Sequence, residues 1–212
     1  MKLVVLGASG GCGVHVVKHA LSRGHAVTAV VRAPAAARVP AGAHVMCDDV
    51  LRDGVLAEAV RGHDAVISCL GIRRRFPRNP WSRLTSPPDF TSRTAAALVA
   101  AMRAEKIERV LAISAAGVAD SEPRMSRLLR WLFAHSRVGD AYRDLAAMEA
   151  VYAGSALDWT AVRPVTLTNL RARATRETDR FGLTATIPRE AVAIWLLDHL
   201  KQGGERTPMI TA

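Results

Sequence analysis

The first chemistry in this sequence is carried by three glycines at fixed spacing. In Gly7-Ala8-Ser9-Gly10-Gly11-Cys12-Gly13 the pattern G-x-x-G-x-x-G follows the apolar run Leu3 to Leu6 and opens a helical pattern. A side chain at Gly7 would strain the tight turn, one at Gly10 would block a pyrophosphate, and one at Gly13 would push the helix off the strand. The free N–H groups and positive dipole of the helix start then face the phosphates, with Ser9, Gly11 and Cys12 in the same cradle. A second β-rich run, Ala26 to Val31, arrives in the order a dinucleotide-binding βαβ unit requires. At the end of that strand an acidic residue would accept hydrogen bonds from the ribose 2′-hydroxyl of NAD. This chain has Arg32 there. A guanidinium can clamp the 2′-phosphate of NADP and stack on adenine, with Arg38 as a second contact, so NADP(H) is expected in preference to NAD(H). The alternative for Arg32 is a solvated side chain at a strand end.

The elements that must position this cradle alternate along the chain. Leu3 to Leu6, Ala26 to Val31, His44 to Cys47, Ala65 to Cys69, Val110 to Ile113 and Leu157 to Val162 read as strands. Gly13 to Ser22, Leu51 to Val60, Phe90 to Glu105, Ala141 to Ala153 and a terminal Pro188 to Leu200 read as helices. Such alternation predicts an α/β fold, a Rossmann-type doubly wound parallel sheet with helices on both faces, formed by residues 1–212 as one domain. Three stretches interrupt the rhythm: about 72–89, rich in Arg and Pro; 115–139, with Trp131 and Phe133; and the polar, Arg-rich 166–181. They follow strand ends, where open α/β sheets bind ligands, and are the expected substrate-pocket walls.

Composition narrows the classes further. The net charge of +10 raises nucleic acid as a partner, yet the basic residues are scattered and nearly all Arg, with Lys only at Lys2, Lys18, Lys106 and Lys201. The concentration Arg73-Arg74-Arg75-Phe76-Pro77-Arg78 lies beside the predicted active-site edge instead, so no nucleic-acid partner is expected. Cys12, Cys47 and Cys69 show neither CxxC spacing nor a nearby His cluster, which predicts reduced thiols, no metal site and a cytoplasmic location. Gly7 breaks the N-terminal apolar run, and Ala191 to Leu197 falls far short of the roughly twenty residues a membrane span needs. No membrane association is expected.

The glycine loop, Val31-Arg32, Asp48-Asp49-Val50, Ser68-Cys69-Leu70-Gly71, Ala101-Met102-Arg103, Ile113-Ser114-Ala115, Met148-Glu149 and Leu157 to Pro164 occur in an order that resembles the atypical short-chain dehydrogenase/reductase superfamily. The likeness is to its small NAD(P)H-binding proteins such as biliverdin reductase B (flavin reductase) and NmrA-like relatives, and covers nearly the whole chain. The resemblance implies Asp49 and Val50 beside the adenine, Cys69, Leu70 and Gly71 along the ribose and phosphate edge, and Pro164 and Val165 near the nicotinamide. Asp49 reads equally well as a helix N-cap.

Reductases of that superfamily place a Ser and a Tyr-x-x-x-Lys at the carbonyl, with Tyr as acid and Lys lowering its pKa. Ser114 matches the serine and Tyr142 is the available tyrosine, but Ala146 stands four residues after it. A tyrosine without a cationic neighbour keeps a pKa near ten. The expected chemistry therefore shifts to hydride transfer from NADPH to a flavin, quinone or related conjugated carbonyl compound, which needs no strong acid. Ser114 then orients nicotinamide or substrate, or else satisfies backbone groups. His135 is a further proton-donor candidate. Arg73 to Arg75, Arg78, Trp81, Trp131 and Phe133 predict an aromatic, anionic small-molecule substrate. Two alternatives stand beside this reading. One is a biosynthetic ketoreductase or epimerase using Tyr142; the other is a non-catalytic NADP(H) redox sensor acting through a protein partner.

Overall fold

A computed structural model describes the chain except for residues 33, 34, 77, 78, 183 and 205 and the side chain of residue 37. Its centre is an eight-stranded sheet built from β1 (Lys2–Leu6), β2 (Ala26–Val31), β3 (His44–Cys47), β4 (Ala65–Ser68), β5 (Arg109–Ile113), β6 (Asp158–Pro164), β8 (Arg176–Glu177) and β10 (Met209–Thr211). The strand order is β3-β2-β1-β4-β5-β6-β10-β8. All neighbours run parallel except β8 against β10. A separate parallel pair joins β7 (Thr166–Thr168) to β9 (Thr186–Pro188).

Strand alternation decides the layering. On β1, Leu3 and Val5 face one core with α1 (Gly13–Ser22) and α6 (Arg189–Asp198). Val4 and Leu6 face the other, with α2 (Val55–Val60), α3 (Phe90–Ala104) and α5 (Arg137–Ala153). Because successive residues of a strand point to opposite faces, a run of four apolar residues is what a doubly covered parallel strand demands. The expected Rossmann-type architecture is therefore present. Its strand order reverses between β1 and β4, and the crevice at their C-terminal ends is where such sheets take ligands.

Polar side chains lock the outer helices to this frame. Buried Asp144 of α5 accepts hydrogen bonds from Thr91 N (2.8 Å), Ser92 N (3.0 Å), Ser92 Oγ (2.6 Å) and Thr91 Oγ1 at the start of α3. It thus caps a helix other than its own. Arg109 donates to Leu200 O (3.1 Å) and His199 O (2.9 Å), covering carbonyls at the end of α6.

Several elements differ from the sequence reading. The helix expected from Leu51 begins only at Val55, because Gly54 stands in a left-handed conformation at φ +83°. Asp49 Oδ1 instead accepts from Leu51 N at 3.0 Å, stabilising a turn before the helix. Helix α5 starts at Arg137, four residues before Ala141. Helix α4 (Arg127–Ala134) was not expected as a helix; its eight residues carry a strong apolar stripe, but none of them is buried. Strands β7 to β10 have two or three residues each, too few for alternation to register.

Candidate functional site

The glycine loop leaves the C-terminal end of β1 and enters α1 without a side-chain cap on the helix. Gly7 adopts φ +70°, and its carbonyl accepts from Gly10 N at 2.9 Å. A Cβ at Gly7 would meet Cys69 O at 2.9 Å, and one at Gly13 would meet Gly7 O at 2.2 Å. Those two glycines are therefore demanded by close backbone approach. Gly10 is exposed, with only Gly7 O within reach of an added Cβ, at 3.1 Å. The uncapped N–H groups of α1, the exposed Gly10 face and Ser9 beside it lie together at the mouth of the helix.

Gly11 has a role that sequence reasoning missed. A Cβ there would lie 2.7 Å from both Cδ and Nε of Arg189, the first residue of α6. The guanidinium arm crosses the loop where residue 11 has no side chain, and Arg189 Nη1 donates to Asn169 Oδ1 at 2.7 Å. Neighbouring Glu190 turns to His19 Nε2 at 2.9 Å and to His15 Nδ1 at 4.0 Å. No His cluster was expected; packing of α1 on α6 makes this one, and the His19 bond holds the Glu190 carboxyl below its usual range. The signal available in the sequence was only an Arg after Pro188 at a helix start.

Cys12 is buried, which pushes its thiol up to about 11 against the opposing pull of Arg189. Burial likewise raises the Cys69 thiol. Neither is an activated nucleophile at neutral pH. The Cys69 backbone lies against Gly7, and Cys69 N donates to Leu6 O at 2.9 Å; Gly71 beyond Leu70 is exposed, with open space where a side chain would be. Arg32 and Arg38 are both exposed beyond β2 and make no ion pair among the described residues. Val50 is buried beneath the third strand's end.

Ser114 sits where β5 ends, 5% exposed, with its N–H donating to Val162 O at 2.8 Å. Its buried Oγ has no hydrogen-bond partner among the described residues. The reading in which this hydroxyl merely satisfies backbone groups is thereby corrected. Two residues on, Ala116 O accepts from Tyr142 OH at 3.2 Å, and the Tyr142 ring tilts against Phe133 at a centroid distance of 4.5 Å. The expectation that Tyr142 has no cationic neighbour is also corrected. Arg74, from the segment after β4, faces it and favours the phenolate; burial outweighs this and pushes the hydroxyl up to about 12. Tyr142 is thus a protonated hydrogen-bonding group at neutral pH rather than an activated acid.

His135 is placed elsewhere. It caps the end of α4, its Nδ1 lies 2.8 Å from Trp131 O, and its ring stacks on Trp131 at 4.9 Å. No hydrogen bond joins it to Ser114 or Tyr142 among the described residues. The 72–89 segment folds back on itself through an antiparallel bridge, Arg74 with Leu84, and docks on the α4–α5 junction. Trp81 Nε1 donates to His135 O at 2.9 Å, and Arg137 N to Pro80 O at 3.0 Å. Arg78 lies outside the described residues. Segments 115–139 and 166–181 meet around a cleft of about 610 Å³ lined by Pro123, Arg124, Met125, Ser126, Asp179, Arg180 and Phe181. Ser114 and Tyr142 are not part of that lining.

Pro164 O accepts from Ala116 N at 3.0 Å and Val165 N donates to Ile210 O at 3.1 Å, which fixes both residues at the C-terminal edge near Ser114's loop. Just before them, Arg163 is 3% exposed and donates to both carboxylate oxygens of Glu149, at 3.0 and 2.6 Å, while pairing with Asp120 at 2.8 Å. This network ties β6, α5 and the loop after β5 together behind the site.

The family described as NAD(P)H-binding matches residues 7–203 of this chain. Among solved structures, an anaerobilin reductase from Escherichia coli O157:H7 is 21% identical, with a TM-score of 0.79 over 99% of this chain and 96% of that one. A short-chain dehydrogenase/reductase from Veillonella parvula in complex with NADP is 18% identical, with a TM-score of 0.77 over 100% and 94%. A Rossmann-fold NAD(P)-binding family protein from Shigella flexneri is 21% identical, with a TM-score of 0.65 over 99% and 92%. These likenesses extend over essentially the whole fold. No helix among the described residues is long and apolar enough to cross a membrane.

Proposed function

The chain belongs to the NAD(P)H-binding family, and we propose that it is an NADPH-dependent oxidoreductase acting on a flavin, quinone or related conjugated carbonyl compound. When bound, the dinucleotide supplies a hydride at its nicotinamide ring. The residues present fit it: Gly10 and Gly11 are exposed without side chains beside the uncapped start of α1, and Arg32 and Arg38 are exposed cations beyond β2 that a 2′-phosphate could engage. The observation that carries the reading is the orphaned Ser114 Oγ. A buried hydroxyl without a partner costs about 1–3 kcal/mol, and its place at the end of β5 lets a nicotinamide or acceptor oxygen supply the missing bond. Ser114 then orients the reacting groups, and Tyr142 closes the wall behind them. The reductase named among the neighbours supports the same reaction class.

The test is NADPH oxidation across a panel of flavins, quinones and conjugated carbonyls. Turnover with one of them, reduced at least tenfold in Ser114→Ala, is expected. NADPH binding without turnover on any acceptor would favour the sensor reading instead. The ketoreductase reading rests on the Tyr142 hydroxyl near Ser114's loop and requires Tyr142→Phe to abolish turnover; on the present reading Tyr142→Phe retains most of it.

A further inference from the structure

We infer that Arg189 is the cation that holds the cofactor's pyrophosphate, and that Asn169 positions it. The assignment rests on the dinucleotide reading above and extends it to two residues outside the glycine motif. Arg189 opens α6, whose packing on α1 sets its arm across Gly11. Cδ and Nε stand 2.7 Å, and Cζ 3.7 Å, from where a Gly11 Cβ would be. The missing side chain at residue 11 is thus what admits the arm to the mouth of α1. Gly11 is exposed, so the guanidinium lies on the open side of the loop and not within the core.

Charge points the same way. Arg189 forms no ion pair among the described residues. The nearest carboxylate in sequence, Glu190, is engaged by His19 at 2.9 Å. The partner of Arg189 is instead a neutral amide oxygen, Asn169 Oδ1, at 2.7 Å. A neutral tether fixes direction without cancelling charge, which leaves the cation available to an anion. Its field reaches the loop, since Arg189 is the charge that pulls against the raised Cys12 thiol. A guanidinium forks onto two phosphate oxygens, and the free N–H groups of α1 address others. Asn169 holds the arm in place beforehand and so reduces the ordering required on binding.

Binding of NADPH, NADH, ADP-ribose and adenosine 2′-phosphate to wild type, Arg189→Gln, Arg189→Lys and Asn169→Ala tests this. Arg189→Gln is expected to weaken NADPH, NADH and ADP-ribose alike, by about ten- to a hundredfold, and to leave adenosine 2′-phosphate, which has no pyrophosphate, unchanged. Arg189→Lys recovers part of the loss. Asn169→Ala costs about three- to tenfold alone and nothing further in the Arg189→Gln background. Unchanged NADPH affinity in Arg189→Gln overturns the assignment alone. So does an equal loss for adenosine 2′-phosphate accompanied by a lowered Tm, which marks a structural role. Wild-type protein that binds none of the three pyrophosphate ligands overturns the dinucleotide reading and this assignment with it. Should Arg189→Gln not fold, Asn169→Ala, outside the glycine loop, must by itself show the selective loss for the pyrophosphate ligands.

Discussion

Replacing Ser114 by alanine should make the protein more stable and less active. The Oγ is buried at the end of β5 without a protein partner, so the folded ligand-free state carries its desolvation uncompensated while the unfolded chain hydrates it. Removing an unsatisfied buried hydroxyl returns part of a penalty of about 1–3 kcal/mol. The small void left behind takes some of that back, so a net gain of about 1 kcal/mol is expected. For a chain of this size that raises Tm by about 2–4 °C. Calorimetry or a denaturant titration without ligand reads the first effect. Steady-state NADPH oxidation reads the second, a fall in kcat/KM of at least tenfold, which corresponds to about 1.4 kcal/mol of lost transition-state stabilisation. The opposite signs are the point of the experiment. A Ser114→Ala protein that is less stable would show that the hydroxyl is satisfied within the fold, and one with full turnover would show that its missing partner is not in the reaction.

Other perturbations separate cofactor choice, framework and titration. Arg32→Ala should weaken NADPH about ten- to a hundredfold while leaving NADH within about twofold, measured by fluorescence titration; equal losses would place the 2′-phosphate elsewhere. Glu149→Ala should cost about 3–5 kcal/mol in a urea titration, because it leaves the 3% exposed Arg163 with Asp120 alone. Cys12 is held protonated in the fold, raised from 9.0 to about 11, so its contribution is complete below pH 9 and lost as pH rises from 9 towards 11. Urea midpoints for wild type should decline over that window more steeply than those for Cys12→Ala. At neutral pH a maleimide should label exposed Cys47 well before buried Cys12.

The parts of the fold that could be read in advance are those where one periodicity dominates. Strand β1 follows a continuous apolar run because both its faces are covered, and α1 and α3 start and stop within a residue of their patterns. The glycine loop was legible because Gly7 and Gly13 answer to backbone contacts local to the βα turn. What escaped is tertiary. Arg189 reaches Gly11 across more than a hundred and seventy residues, and Arg74 reaches Tyr142 only because the segment after β4 doubles back, so no local spacing encodes either. Tyr142 was expected to keep an ordinary pKa because the lysine position holds Ala146. The structure supplies a cation from elsewhere and a burial effect that exceeds it. Asp144 of α5 likewise serves α3, more than fifty residues away in the chain.

That last arrangement bears on how the chain assembles. The amides of Thr91 and Ser92 find their acceptor 53 and 52 residues downstream, beyond β5 and the whole excursion through α4. They cannot be protected from solvent exchange by any segment made earlier. In a chain lacking α5, the first turn of α3 is expected to fray. Hydrogen exchange at these two amides, in the first turn of α3, should therefore slow when α5 docks.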